Sequence, residues 1–477
     1  MFKFSIHTCI GLLCLFLAAA GCKAPEATTA IENRLVPASY DNSKNTTNTG
    51  TIPWRTFFTD KNLVNLIDTA LKNNQELLTT LQEVEIARND IRFKQGPLLP
   101  TVGARAGVGV EKVGRYTSQG AGDASTEIKP GKEMPDPLGD FTVAVFANWE
   151  ADIWKKLRNA KKAAVTRYLS TVEGKNFVLT NLIAEVANSY YELQALDNQL
   201  VIVRQNIGLQ KNALEIVKIQ KEATRVTELA VQKFEAEVLK SQSMEYEVMQ
   251  KIKETENRIN FLLGRFPQPI TRDNSNFVNA LPPEVSSGIP SQLLANRPDI
   301  KQAELELAAA KLDVKVARAE FYPSPGISAA VGLQAFNPTY LVKLPESILY
   351  SLAGDLAGPL INRNAIKAEF NNANARQLQA MYNYERTILN AYLEVSTQLS
   401  NISNLEKNYD LKRKQVDALT RSIDISNDLF RNARADYLEV LMTQRDALEA
   451  KLELIDTKQQ QLSAVINIYR GLGGGWH

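Results

Sequence analysis

The sequence predicts a mainly α-helical protein that also carries strands of a transmembrane β-barrel, assembled from a duplicated unit of helix, strand and very long helix. Three observations lead there. The first is an internal repeat: Leu71, Asn73, Ala87, Asp90, Pro100, Gly103 and Gly109 recur as Leu294, Asn296, Ala310, Asp313, Pro323, Gly326 and Gly332, each 223 positions on. The second is four short stretches that alternate apolar and polar residues. The third is a pair of long segments without helix breakers.

The elements follow in chain order. Met1 to Gly21 opens with Lys3 and continues into an apolar core from Ile10 to Ala20. This predicts a signal peptide over 1–21, too short for a spanning helix of ~20 apolar residues. Ala18-Ala19-Ala20-Gly21-Cys22 resembles a bacterial lipobox, with Ala19 where leucine is more usual. That resemblance implies cleavage before Cys22, a diacylglyceryl thioether on its sulfur and an acylated amino terminus. The alternative is ordinary cleavage beside an unrelated cysteine. Lys23 follows, not the aspartate associated with inner-membrane retention. Residues 22–52 are rich in Ala, Thr, Asn and Ser without periodicity, which predicts a lipid anchor and extended tether. Order is expected from Pro53-Trp54, with Phe57 and Phe58 as packing anchors. The first repeat then occupies 53–264, a linker 265–290 and the second repeat 291–477.

The four alternating stretches read as strands with one apolar and one wet face. Val102, Ala104, Ala106, Val108 and Val110 oppose Gly103, Arg105, Gly107, Gly109 and Glu111. Phe141, Val143, Val145, Ala147 and Trp149 oppose Thr142, Ala144, Asn148 and Glu150. Ile327, Ala329, Val331, Leu333 and Ala335 oppose Gly326, Ser328, Gly332 and Gln334. The fourth stretch, Ile348 to Leu356, alternates less cleanly because Leu349 falls on its polar side. One such strand would fit a half-buried sheet in a soluble protein. Four of them behind a bacterial leader, each near the ~9–11 residues that cross a bilayer at a tilt, favour a membrane barrel. Four strands do not close a barrel, and open edges are not tolerated in hydrocarbon. Copies of the chain must therefore share one. Two copies give eight strands, whose interior fills with side chains; three give a 12-stranded barrel with a water-filled passage, so a homotrimer is the simplest conduit. The Gly-, Ser- and Asp-rich link from 114 to 140 is long enough for an external loop, and the link from Asn337 to Glu346 is shorter.

No proline lies between Pro137 and Pro267 or after Pro359, and no glycine between 361 and 470. Both breakers are missing where long helices would be harmed. Apolar residues recur every ~3.5 positions through Leu179, Ile183, Val186, Tyr190, Leu193, Leu196, Leu200, Val203 and Ile207, which reads as coiled-coil packing. Leu438, Leu441, Leu448, Leu452, Ile455, Leu462, Ile466 and Tyr469 repeat the pattern. A helix from about Asp152 to Glu222 would be roughly 100 Å long at ~1.5 Å per residue, and must project away from the membrane. A lipid-anchored structural coiled coil would explain the helices but leave the strands without a use.

Composition excludes much chemistry. The histidines are His7 and His477, and the cysteines Cys9, Cys14 and Cys22. No interior zinc set, Cys–His pair, Ser–His–Asp set or disulfide framework can form, and no spacing singles out a carboxylate pair, so the sequence points away from an enzyme. No cofactor is expected beyond the covalent lipid on Cys22. A net charge of +2 with interspersed signs argues against a nucleic-acid partner. Five scattered methionines besides Met1, with no interior histidine, lend no support to a copper or silver relay.

Several segments resemble the TolC-like outer-membrane factor family, specifically its lipoprotein branch serving resistance-nodulation-division efflux pumps. They are Arg297-Pro298-Asp299-Ile300, Ala317-Arg318-Ala319-Glu320-Phe321-Tyr322-Pro323, Trp149-Glu150-Ala151-Asp152-Ile153-Trp154, Gly358-Pro359-Leu360, Leu262-Leu263-Gly264 and Leu472-Gly473-Gly474-Gly475-Trp476. The match runs through nearly the whole mature chain. It implies a trimer with a 12-stranded barrel in the outer membrane on a 12-helix periplasmic α-barrel. It further implies a passive conduit docked to a periplasmic adaptor and an inner-membrane pump, exporting drugs and other small molecules. A partner of a type I protein-secretion system is the alternative within this class.

The resemblance also places helical hairpins at the periplasmic tip. The first turns near 222–228 and the second near 432–438, at an offset of 209 that pairs Gly264 with Gly473. Thr224 and Ala433 stand where the family usually has glycine, and Ala230 where it often has an aspartate, so that aspartate's gate contact is not carried over. Arg225, Glu228, Arg434, Asp436 and Glu439 crowd the turns and are candidates for a charged gate or adaptor contact. Solvated turn residues would look the same.

Overall fold

The computed structural model describes residues 25–26, 31–40, 46–274, 277–278, 283–358, 363–432 and 434–476. Cys22, the leader, Pro359-Leu360 and Ala433 lie outside the described residues. The chain divides into two units, one formed by Met1–Ile31, Glu85–Leu169 and Leu305–Met381, the other by Glu32–Val84, Ser170–Glu304 and Tyr382–His477.

The long helices are α5 (Lys156–Glu222), α6 (Glu228–Leu262), α9 (Asn364–Arg431) and α10 (Tyr437–Gly471). Shorter ones are α1 (Trp54–Phe57), α2 (Lys61–Asn73), α3 (Gln75–Gln95), α4 (Ser118–Asp123), α7 (Ser291–Asn296) and α8 (Pro298–Ala319). The strands are β1 (Thr101–Glu111), β2 (Glu127–Lys129), β3 (Lys132–Glu133), β4 (Leu138–Glu150), β5 (Ser324–Ala335) and β6 (Ile348–Ala357). The duplication is carried into the helix lengths: α5 and α9 have 67 and 68 residues, and α6 and α10 have 35 each.

In the first unit, β1, β4, β5 and β6 form an all-antiparallel sheet in that order. The loop between β1 and β4 is not irregular throughout: it holds α4 and a small β2–β3 hairpin. Beside the sheet, Val314, Ala317 and Phe321 of the α8 segment bury against Phe370 and Ala373 of α9, with Phe321 and Phe370 edge to face at 5.9 Å. The sequence reading starts α5 near Asp152; the helix begins four residues later, at Lys156. The reason is capping. Asp152 stays outside the helix and its carboxylate accepts the N–H groups of Leu157 at 3.0 Å and Arg158 at 2.9 Å, satisfying donors that a helix start leaves free. Burial alone would raise the Asp152 pKa, but these hydrogen bonds and the Arg158 guanidinium hold it below the usual carboxylate range.

In the second unit, Trp54, Phe57, Phe58, Leu63 and Ile67 pack with Ile183, Val186, Tyr190 and Leu193 of α5, with Ile259 and Leu262 of α6, and with Val465, Ile466 and Tyr469 of α10. Phe57 stacks on Tyr469 at 4.0 Å and Phe58 meets it edge-on at 6.1 Å, so both serve as anchors as expected. Most of the heptad positions are buried, from Ile183 to Ile207 and from Leu448 to Tyr469. Leu438, near the start of α10, is exposed in the single chain. The stretch 31–40 has no helix or strand, as a tether requires, but it is pinned. Tyr40 is buried and stacks on Tyr392 at 5.4 Å, and Arg34 pairs with Glu304 at 2.9 Å. Linker residue Arg272 is likewise clamped, to Asp197 and, at 2.8 Å, to Glu256.

The repeat reaches individual contacts. Gly264 takes φ +63 and Gly473 φ +87, the left-handed region that glycine reaches without steric penalty. A Cβ at Gly264 would stand 2.3 Å from the Asn73 carbonyl oxygen, and one at Gly473 2.5 Å from that of Asn296. One position along, Asn74 donates to the Leu262 carbonyl at 3.0 Å, while Arg297 donates to the equivalent Gly471 carbonyl at 2.8 Å. The two halves thus close the last turns of α6 and α10 in the same way, with a neutral donor in one and a cation in the other.

Candidate functional site: the sheet wall and the hairpin tips

The register of the sheet sorts its faces. Val102 lies opposite Ala147, Ala104 opposite Val145 and Ala106 opposite Val143. Val143 lies opposite Leu333 and Val145 opposite Val331. Val331 is opposite Tyr350 and Ala329 opposite Leu352. All of these belong to the apolar set, so one face is apolar from edge to edge, as the alternation predicts. That face is uncovered: Val108 is 81% exposed, Val331 57% and Leu352 78%. Water would penalise such a surface by ~25 cal/mol per Å² of apolar area; hydrocarbon does not. The strands have 11, 13, 12 and 10 residues, matching a tilted bilayer crossing. No described helix is long and apolar enough to cross a membrane. The terminal strands of the sheet are β1 and β6, so among the described residues each carries one edge without a partner strand.

The other face is polar and lined with small residues. Alternation does not account for Phe146, an aromatic on this side. It lies opposite Gly103, and its ring covers that residue so closely that a Cβ there would be 2.5 Å from Cζ. The ring fills the space that glycine leaves. Where β4 gives way to α5, the Trp149 indole donates to the Leu98 carbonyl at 3.2 Å. Trp154 stacks on Tyr322 at 4.7 Å and donates to the Pro323 carbonyl at 2.8 Å. Amphipathic rings gathered at one end of the strands are what a membrane–water boundary favours.

The hairpin tips are in the second unit. Both long helices end in the same turn: the Arg225 N–H bonds the Gln220 carbonyl at 2.9 Å, and the Arg434 N–H the Leu429 carbonyl at 2.8 Å. This is the Schellman closure, which needs a left-handed residue just past the helix. Thr224 fills that place with φ +57. For a non-glycine residue this conformation costs about 1–2 kcal/mol; the turn's hydrogen bonds hold it, and the Thr224 hydroxyl donates to the Ala223 carbonyl at 2.7 Å.

The five candidate charges are exposed, and among the described residues no ion pair joins any two of them. Glu228 instead pairs with Lys221 across its own hairpin and accepts from Gln232 at 2.9 Å; the Lys221 contact, foremost, keeps its pKa below the usual carboxylate value. Asp436 caps α10, its carboxylate accepting the Tyr437 N–H at 2.6 Å. Glu439 sits in the first turn of α10. Ala230, where the resembling family often has an aspartate, is fully buried with Leu214, Val217 and Phe234, an environment that suits a methyl group and would penalise a carboxylate.

An uncovered apolar sheet with two open edges, on a chain whose second unit holds α6, α10 and most of α5 and α9, defines a subunit of an outer-membrane channel. The chain belongs to the outer membrane efflux protein family, whose profile matches residues 66–265 and 289–474, the two halves marked out by the repeat. It is an outer-membrane component of an efflux system of a Gram-negative bacterium. It is 28% identical over 424 residues to the pyoverdine export outer membrane protein OpmQ of Pseudomonas aeruginosa, covering 89% of this chain and 87% of that one. It is 26% identical over 477 residues to the cation efflux system protein CusC of Escherichia coli O6:H1, covering 97% and 98%. A crystal structure of CusC shares the fold with a TM-score of 0.81 at 24% identity, covering 94% of this chain and 99% of that one.

Proposed function

We propose that three copies of this chain close a 12-stranded barrel over a 12-helix periplasmic tunnel. The complex is a passive conduit that receives small molecules from a periplasmic adaptor and an inner-membrane pump and releases them outside. Catalysis plays no part and no cofactor is needed. The observation that carries this reading is the pair of unpartnered sheet edges beside an uncovered apolar face: in hydrocarbon each edge needs another strand, and a neighbouring copy supplies one. The cargo is small molecules, drugs and toxic compounds among them; scattered methionines without an interior histidine lend no support to a copper or silver relay. A diacylglyceryl group on Cys22 anchors the assembly.

One preparation tests this. Protein extracted natively from outer membranes is expected to run as a trimer, to carry an acylated Cys22 by mass spectrometry and to conduct ions in planar bilayers. A monomer without conductance would overturn the channel reading, and an unmodified Cys22 the anchor.

The tip charges act between copies. Arg225, Glu228, Arg434, Asp436 and Glu439 each recur three times around the opening, and charge pairing across neighbours holds it narrow; Thr224 shapes the first of the turns that meet the adaptor. Arg434→Ala and Asp436→Ala are expected to raise single-channel conductance or open probability. Asp436→Asn separates charge from capping, because asparagine still caps a helix. Unchanged currents in both alanine variants would reject the gate.

A further inference from the structure

We propose that the loops at the sheet end away from α5 bind the phosphate groups of lipid A, the phosphorylated glycolipid of the outer leaflet. This rests on the reading of the sheet as an outer-membrane wall. In the β2–β3 hairpin, Lys129 lies directly opposite Lys132, a like-charged cross-strand pair that disfavours the hairpin by itself. The Lys129 ammonium donates to the Tyr340 hydroxyl in the β5–β6 loop. Lys129 and Lys343 each lie 5.0 Å from the centre of the Tyr340 ring. The hydroxyl's pKa is drawn below its usual value, first by the Lys129 hydrogen bond and then by the fields of Lys129, Lys343 and Lys132. Among the described residues, no carboxylate pairs with any of the three lysines. Two ammonium groups against one phenol, with a third lysine facing one of them across the hairpin and none of the three paired with the hairpin's own Glu127 or Glu133, are an incomplete arrangement that a multivalent anion completes.

The neighbours of Lys343 identify the anion's source. Val342 is 79% exposed and Leu344 63%. A soluble phosphate would engage the lysines and leave both apolar side chains in water. A lipid whose acyl chains lie beneath its phosphates engages all of them, with the lysine stems lying along the apolar zone and their heads at the phosphates.

Native mass spectrometry of the full-length assembly with lipid A tests the site. The unaltered protein is expected to bind bisphosphorylated lipid A roughly tenfold or more tightly than the dephosphorylated form. The K129Q/K132Q/K343Q variant should bind both forms equally, and V342S/L344S should weaken both. Equal binding of the two forms by the unaltered protein, no change in the triple variant, or displacement by inorganic phosphate at equal affinity would each overturn the proposal. Conductance recorded on the same samples separates the two readings: a conducting protein indifferent to lipid phosphate defeats only this site, whereas a non-conducting one defeats the channel itself.

Discussion

Replacing Arg297 with alanine is expected to lower the unfolding free energy by about 3 kcal/mol, at the lower end of the ~3–5 kcal/mol typical of breaking a buried ion pair. Arg297 is 7% exposed. It forks onto Asp299 with both bonds near 3 Å (3.0 and 2.8 Å), meets Glu394 at 2.8 Å and caps the Gly471 carbonyl at 2.8 Å. Burial by itself would lower the guanidinium pKa, but the hydrogen bonds and charges of Asp299 and Glu394 raise it above its usual value, so the side chain stays charged. Its removal leaves Asp299 with only the Ile300 N–H at 2.9 Å and takes this donor from the carbonyl. Glu394 keeps Arg470, also at 2.8 Å, which is why the loss stays near the lower bound. Asn74→Ala, the same position in the first half, removes a neutral donor and also the cap whose Oδ1 accepts the Leu77 N–H at 3.0 Å, and is expected to cost about 2 kcal/mol in all. Arg297→Lys does not restore stability, because an ammonium lacks the planar fork. Guanidinium unfolding of the detergent-solubilised protein, followed by helical circular dichroism, measures all three. A loss from Arg297→Ala no greater than that from Asn74→Ala would contradict this account.

The next largest effect is expected on the sheet. Val331→Arg, near the middle of β5 on the apolar face, should disfavour the membrane-inserted state by about 2–4 kcal/mol. Ala330→Arg, at almost the same depth on the opposite face, should leave insertion close to unchanged. The two introduced arginines differ chiefly in side, since neighbouring strand residues point to opposite faces. The amount of heat-resistant assembled protein in outer membranes reads both. Equal loss in the two variants, or normal assembly of Val331→Arg, would mean that the apolar face does not meet lipid.

Much of this is legible in the chain itself. Alternation located all four long strands within a few residues, because period two is a local property written in consecutive side chains. The missing prolines and glycines and the ~3.5-residue spacing mark the long helices for the same reason, whereas both turns are placed by the family resemblance, since no breaker in the chain marks the second one. Where local rules compete, the reading slipped: the helix pattern runs back to Asp152, yet that residue serves the helix better as its cap. Periodicity gives no reason for Phe146 on a polar face or for threonine at a left-handed turn position. The tip charges stand out in sequence, but their roles in the single chain, a cap for Asp436 and a hairpin pair for Glu228, depend on which backbone and which helix they meet.

The sequence by itself determined the duplicated architecture, the two-faced strands and the coiled-coil arms, since each follows from spacing along a few turns or a few strand residues. Only the tertiary structure decided that Arg297 closes a helix 174 residues away, that Phe146 roofs Gly103, and that Lys129 meets Tyr340 across 211 residues. Those pairings are set by packing between segments that share no local period, and no spacing in the chain encodes them.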